Sequence, residues 1–210
     1  MTRDKITFLT EKDFDISSLI ENLRKNYQLS QNEEDKKIIL DIVQLLEKND
    51  YTLLSPQEIH FLESNSPDIW TEYMIFRYKM YYFPGRKIVY DFPIYLVIEP
   101  VSSCNLRCPM CPISAESPKG KGKKTWFDFE YYKEILNFSV KKGTKAIKLN
   151  YINEPLIRND FIKFIDYAKK IGILDIYFST NGILLNKKTS TELIKSGLTR
   201  IQISIDAITK

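Results

Sequence analysis

Two rhythms of apolar and polar positions divide the chain near residue 92. Before it, apolar residues recur every three or four positions, the period of an amphipathic helix. Asp15-Ile16-Ser17-Ser18 precedes Leu19, Ile20 and Leu23 and predicts a short helix with a polar cap. Residues 33–48 carry Ile38, Ile39, Ile42, Leu45 and Leu46 on one face, and Asn49-Asp50 ends the pattern. Ser55-Pro56-Gln57-Glu58 is a capping box with Pro at the first helical position, opening a helix toward Leu62. A further helix starts at Pro67 and carries Trp70, Tyr73, Met74, Tyr78, Tyr81 and Tyr82. Such an aromatic face is either core or a docking surface. Pro84-Gly85 then predicts a turn.

After residue 92 the pattern alternates short apolar runs with amphipathic stretches. Strands are expected at 94–101, 146–151, 174–179 and 200–205. Helices are expected at 127–142, 160–171 and 187–196, the first burying positions 127, 131, 135 and 138. Gly143, Gly172 and Gly197 stand where these helices must stop. Alternating strands and helices argue for a parallel sheet with right-handed crossovers. The expected architecture is α/β: a mostly helical extension over 1–92, then a βα-unit domain over 93–210.

Composition narrows the classes. The 210 residues are 43% hydrophobic and 28% charged, a globular profile. No apolar run approaches the ~20 residues that cross a bilayer, and the charged N-terminus shows no secretory signal, so a cytoplasmic protein with no membrane partner is expected. A net charge of +4 gives no ground for a nucleic-acid partner. The basic stretch Lys119-Gly120-Lys121-Gly122-Lys123-Lys124 reads as a solvated loop or as a cover for an anionic ligand.

The cysteines change the picture. All 3 lie in Cys104-Asn105-Leu106-Arg107-Cys108-Pro109-Met110-Cys111, a C-x3-C-x2-C motif directly after the first expected strand. Three thiolates on one short loop can converge on a soft centre, and closely spaced cysteines are the usual holders of iron–sulfur clusters. Three ligands to four irons leave one iron open to a substrate or cofactor. Zinc wants a fourth ligand, and the single His60 lies far upstream on a predicted helix. Zinc and purely structural cysteines are the competing readings.

In this position the motif resembles the radical S-adenosylmethionine (radical SAM) superfamily, over roughly 93–210. Three further elements carry the likeness, each at a strand end. Asn153-Glu154-Pro155 stands where the family shows Gly-Glu-Pro or Gly-Gly-Glu. Ser179-Thr180-Asn181-Gly182 is similar to its Thr-Asn-Gly element, and Ser204-Ile205-Asp206-Ala207 to its Ser-hydrophobic-Asp element. The likeness is strongest to the branch that often carries a C-terminal SPASM-type domain for auxiliary clusters, which these 210 residues do not contain.

The resemblance implies a partial (β/α)6 TIM-like barrel. It implies that Cys104, Cys108 and Cys111 bind a 4Fe–4S cluster, with S-adenosylmethionine on the open iron. Reductive cleavage would yield a 5′-deoxyadenosyl radical that takes hydrogen from a peptide, protein or metabolite. A reductant such as flavodoxin or ferredoxin would supply the electron. Cofactor contacts would fall to Met110, Asn153, Glu154, Ser179, Thr180, Asn181, Ser204 and Asp206. Beside those roles stand plainer ones: Met110 as packing, Glu154 in a strand-end salt bridge, the Asn181-Gly182 pair as a helix-capping turn. Asn153 replaces the usual Gly, whose lack of a side chain permits close backbone approach.

The family core has six strands, and this sequence predicts four before Ile208-Thr209-Lys210. A sheet open at strand four exposes an apolar edge and half its inner face. The expectation is a fragment of a longer enzyme, a chain completed by a partner, or a non-catalytic cluster- or metal-binding module.

Overall fold

The computed structural model describes residues 14–112 and 125–205. The chain divides into two compact units, Met1–Val89 and Tyr90–Lys210. Among the described residues, no helix is long and apolar enough to cross a membrane.

The first unit consists of α1 (Ile16–Leu29), α2 (Glu33–Glu47), α3 (Pro56–Glu63) and α4 (Trp70–Gly85), with a 3-10 turn at Pro67–Ile69. Each of the first three starts where a side chain accepts an otherwise unpartnered N–H. Asp15 accepts from Ser18 N, Asn32 from Glu34 N and Asp35 N, and Ser55 closes its capping box with Glu58. The aromatic face of α4 is mostly core: Tyr73, Met74 and Tyr78 are buried, and Tyr73 stacks on Phe61 at 3.6 Å between centroids. Tyr81 is exposed.

The turn expected at Pro84-Gly85 is displaced. α4 runs through both residues, and the chain reverses at Lys87, whose φ is 56°. Pro is tolerated there because the end of the helix is closed from beyond it. Arg86 N donates to Tyr82 O, Lys87 N to Pro84 O and Ile88 N to Phe83 O, at 3.0–3.1 Å.

In the second unit, β1 (Tyr95–Val97), β2 (Ala146–Lys148), β3 (Asp175–Thr180) and β4 (Arg200–Ile203) form one parallel sheet in sequence order. α5 (Phe129–Lys141), α6 (Phe161–Lys170) and α7 (Lys187–Lys195) make the crossovers. Leu96, Ile147 and Ile176 lie side by side in register, as do Phe178 and Ile201. This row packs with Leu136, Phe161, Phe164, Ile165 and Leu193 into one core. Gly197 ends α7 at φ 83°, and a Cβ there would lie 2.7 Å from Lys169 Cγ. The close approach and the left-handed backbone both call for glycine.

Two expectations are corrected. β1 is shorter than 94–101 because Pro100 has no N–H for the ladder and Glu99 turns its carboxylate to neighbouring backbone. The buried face of α5 is Tyr132, Leu136 and Ser139, while Tyr131 and Phe138 are 56% and 55% exposed. Tyr132 and Ser139 enter the core because each hydroxyl has an acceptor there, Phe164 O and Ile135 O, both at 2.7 Å.

The inner face of the sheet is polar. The register aligns Val97, Lys148, Tyr177 and Arg200 across four strands, with Ser179 and Gln202 in the next layer. The Arg200 guanidinium lies 3.5 Å from the Tyr177 ring centroid and pairs with Asp175 at 3.2 Å. Tyr95 and Tyr177 share a 2.7 Å hydroxyl contact. Burial, and then that contact, hold the Tyr95 phenol well above its ordinary range, so it stays neutral.

Candidate functional site

The loops following β1, β2 and β3 meet at the C-terminal end of the sheet, the end where α/β folds build their sites. The β1 loop begins at Val101, bridged antiparallel to Trp126, and then carries the cysteines. Cys104, Cys108 and Cys111 are free and half-buried. A turn bonds Cys111 N to Cys108 O at 3.0 Å, and the Arg107 guanidinium donates to Cys104 O at 2.8 Å. The loop does not gather the sulfurs into a cage: among the described residues no three His, Cys, Asp or Glu side chains form a metal-holding group.

Glu154, in the β2 loop directly before a 3-10 turn at Pro155–Ile157, is buried and binds the neighbouring loops together. Its N–H donates to Ser103 O at 3.0 Å, beside Cys104. Its carboxylate accepts from Leu156 N at 3.1 Å, Asn181 N at 2.8 Å and the Thr180 hydroxyl at 2.9 and 3.0 Å. A carboxylate has about four acceptor positions, and these three donors make four contacts, two on each oxygen. The salt bridge weighed as an alternative is not formed among the described residues.

Asn153 is buried, and its amide N–H donates to Val101 O. Its Oδ1 is buried without a hydrogen-bond partner among the described residues. Where a Gly would leave open space, this chain has a cross-tie between the ends of β1 and β2.

The end of β3 supplies Ser179 and Thr180, and the loop after it supplies Asn181. Ser179 N donates to Asn150 Oδ1 at 2.8 Å, and its hydroxyl reaches Gln202 Oε1 at 3.3 Å. Asn181 Nδ2 reaches Asn105 Oδ1 at 2.8 Å and Cys104 Sγ at 3.8 Å, while its Oδ1 accepts from Ile183 N at 3.1 Å. Gly182 turns with φ 77°, which explains the Asn-Gly pair. The pair makes a turn that also contacts the cysteine loop, but it caps no helix: the N-cap of α7 is Asn186. Ser204 is exposed, and its N–H donates to Thr180 O at 2.9 Å. Met110 is 70% exposed on the cysteine loop. Asp206 and the 119–124 stretch lie outside the described residues.

Two supporting residues escaped the sequence reading. Glu99 accepts from Tyr151 N and Ile152 N at 3.1 and 2.7 Å, shaping the β2 loop. Arg158 is buried and donates to Pro100 O and Phe127 O at 2.7 and 2.6 Å, and to Asp160 at 2.6 Å. Its guanidinium stands 4.3 Å from the Phe164 ring centroid. The only sequence signal was an arginine shortly after Glu-Pro, which does not separate a buried clamp from a surface cation.

Comparison with known proteins bears on the same segment. The model of the Radical SAM superfamily matches residues 98–210, more than half of the chain. A GTP 3′,8-cyclase of Clostridium botulinum is 39% identical over 129 residues, 59% of this chain and 37% of that protein. One of Alkaliphilus oremlandii is 36% identical over 115 residues, 54% of this chain and 35% of that protein. The chain thus spans little more than a third of the length of these relatives. Among solved structures, BtrN in complex with AdoMet and 2-DOIA superposes with a TM-score of 0.50 at 21% identity. That match covers 58% of this chain and 49% of BtrN, and it is a likeness of fold. Cysteine motif, strand-end elements, parallel sheet and family match agree: the chain belongs to the radical SAM superfamily, whose enzymes work with a 4Fe–4S cluster and S-adenosylmethionine.

Proposed function

We propose that this chain is the cluster-binding part of a radical SAM enzyme, in which Cys104, Cys108 and Cys111 hold the 4Fe–4S cluster. The observation that carries the reading is the free C-x3-C-x2-C loop, tied by Glu154 and Asn181 to the ends of the sheet. The donor set fits the group: three half-buried thiols outside any disulfide, on one short loop. When bound, the cluster supplies one electron that cleaves the sulfonium C–S bond of S-adenosylmethionine, giving methionine and a 5′-deoxyadenosyl radical for hydrogen abstraction.

The chain's own residues position and enclose. Glu154 would accept from the amino group of S-adenosylmethionine in place of the Thr180 hydroxyl, and through its N–H it braces the cysteine loop. Asn153 holds the β2 loop against β1. Ser179, Thr180 and Ser204, at the later strand ends, would contact the cofactor, with the backbone of Met110 beside its adenine, and the resemblance assigns Asp206 to the same task. The substrate is a peptide, a protein or a metabolite, and the relatives' name makes GTP the first small molecule to assay. The reductant is a flavodoxin- or ferredoxin-like protein, and the setting is cytoplasmic.

Anaerobic reconstitution with iron and sulfide, then dithionite and S-adenosylmethionine, tests the reading. It predicts iron and sulfide in a 4Fe–4S ratio and release of 5′-deoxyadenosine. Cluster loading without 5′-deoxyadenosine would make the chain a binding module that needs further polypeptide. One tight zinc with no sulfide would overturn the cluster.

A further inference from the structure

We propose that Asn181 tunes the reduction potential of the cluster by donating its side-chain N–H to the sulfur of Cys104. The inference rests on the cluster reading above and concerns a residue that holds no iron.

The orientation of the amide is fixed by its neighbours. Oδ1 of Asn181 accepts from Ile183 N at 3.1 Å, so Nδ2 is the end turned to the cysteine loop. The backbone N–H of Asn181 is held by Glu154 at 2.8 Å, which anchors the residue from the other side. Nδ2 then lies 3.8 Å from Cys104 Sγ, and Leu106 N lies 3.4 Å from the same sulfur. Among the described residues, neither Cys108 nor Cys111 receives an N–H on its sulfur. Among the described residues, Cys104 is the ligand with two N–H donors at its sulfur.

Loading sharpens the contrast. As a free thiol, Cys104 donates to Asn105 Oδ1 at 3.8 Å. A cluster ligand is deprotonated, so its sulfur can only accept. The N–H groups of Asn181 and Leu106 then meet a sulfur carrying negative charge. Such donors stabilise the reduced, more negative cluster more than the oxidised one and raise the potential. Nδ2 carries two hydrogens and serves Asn105 Oδ1 at 2.8 Å and the sulfur together. Asn105 Oδ1 itself stands 3.8 Å from the sulfur, and its partial negative charge opposes the reduced cluster, so the two asparagines pull in opposite directions.

The test is an EPR-monitored redox titration of the reconstituted full chain, with iron and sulfide measured first. Asn181→Asp keeps an acceptor for Ile183 N–H but places an anionic oxygen beside Cys104. Its midpoint is expected to be more negative than that of the unmodified chain. Asn105→Ala removes the amide oxygen that stands 3.8 Å from the sulfur, and its midpoint is expected to be more positive. Opposite shifts at equal loading establish the tuning role. Unchanged midpoints at equal loading overturn it while leaving the cluster in place. If Asn181→Asp does not load, the Asn105→Ala midpoint decides alone, and no shift there overturns the proposal. Failure of the unmodified chain to take up iron and sulfide removes the cluster reading itself.

Discussion

The hydroxyl of Thr180, the last residue of β3, donates to both carboxylate oxygens of Glu154, at 2.9 and 3.0 Å. Through that shared proton the end of one strand is fastened to the loop of its neighbour. The same glutamate reaches Ser103 through its backbone N–H, so the loops after the first three strands meet at one buried residue.

Glu154→Gln puts an amide N–H where the carboxylate accepts backbone N–H groups. At least one buried donor loses its partner, at a cost of about 1–3 kcal/mol. The urea midpoint is expected to fall, and iron retained after gel filtration of reconstituted protein should fall with it. Unchanged iron retention would count against a bracing role for Glu154.

Arg158→Lys tests the clamp. A lysine cannot supply the planar fork that reaches Pro100 O, Phe127 O and Asp160 together. Losing one buried carbonyl partner costs on the order of 1–3 kcal/mol. Denaturant unfolding should show that loss, and one no larger than a typical surface substitution would refute the clamp.

Asp160 gives a pH dependence. Its hydrogen bond to Arg158 is the main cause that holds its carboxyl below the ordinary 3.8, against opposing desolvation. A depressed carboxyl contributes stability above the unfolded value and loses it as pH falls through the folded one. The stability difference between the unmodified chain and Asp160→Asn should be full near neutrality and shrink below about pH 4. A difference that grows with acidity would contradict the assignment.

The two sides of the sheet should respond differently to truncation. Phe178 is fully buried with its ring edge-on to Phe161 at 4.9 Å, and Phe178→Ala is expected to cost about 3–5 kcal/mol. Gln202, exposed on the opposite side, should change stability by roughly 0.5 kcal/mol or less as Gln202→Ala. Denaturant titration of both variants settles the comparison.

Local signals read well where local chemistry decides. Ser55 to Glu58 announced a helix start, and Gly143, Gly172 and Gly197 announced helix ends, because caps and left-handed residues act within one turn. The cysteine motif and the strand-end elements were legible for the same reason. Tyr131 and Tyr132 were not separable by pattern, since only the distant carbonyl of Phe164 makes Tyr132 the buried one. Arg158 was invisible because its partners, Pro100, Phe127 and Phe164, are assembled by the tertiary fold. Glu154 was identified as a site residue, but its three internal donors emerge only when three loops converge.

The polar row formed by Lys148, Tyr177 and Arg200, with Ser179 and Gln202 beside it, has an evolutionary consequence. Stability of the sheet resides on its helix-covered side, where each apolar residue is hemmed in by packing. On the opposite side exposed positions such as Gln202 can exchange one polar group for another at little thermodynamic cost, while Tyr177 and Arg200 are held by their mutual contact and by Asp175. Diversification can therefore act on that surface while the architecture, and the cysteine loop it carries, stay constant.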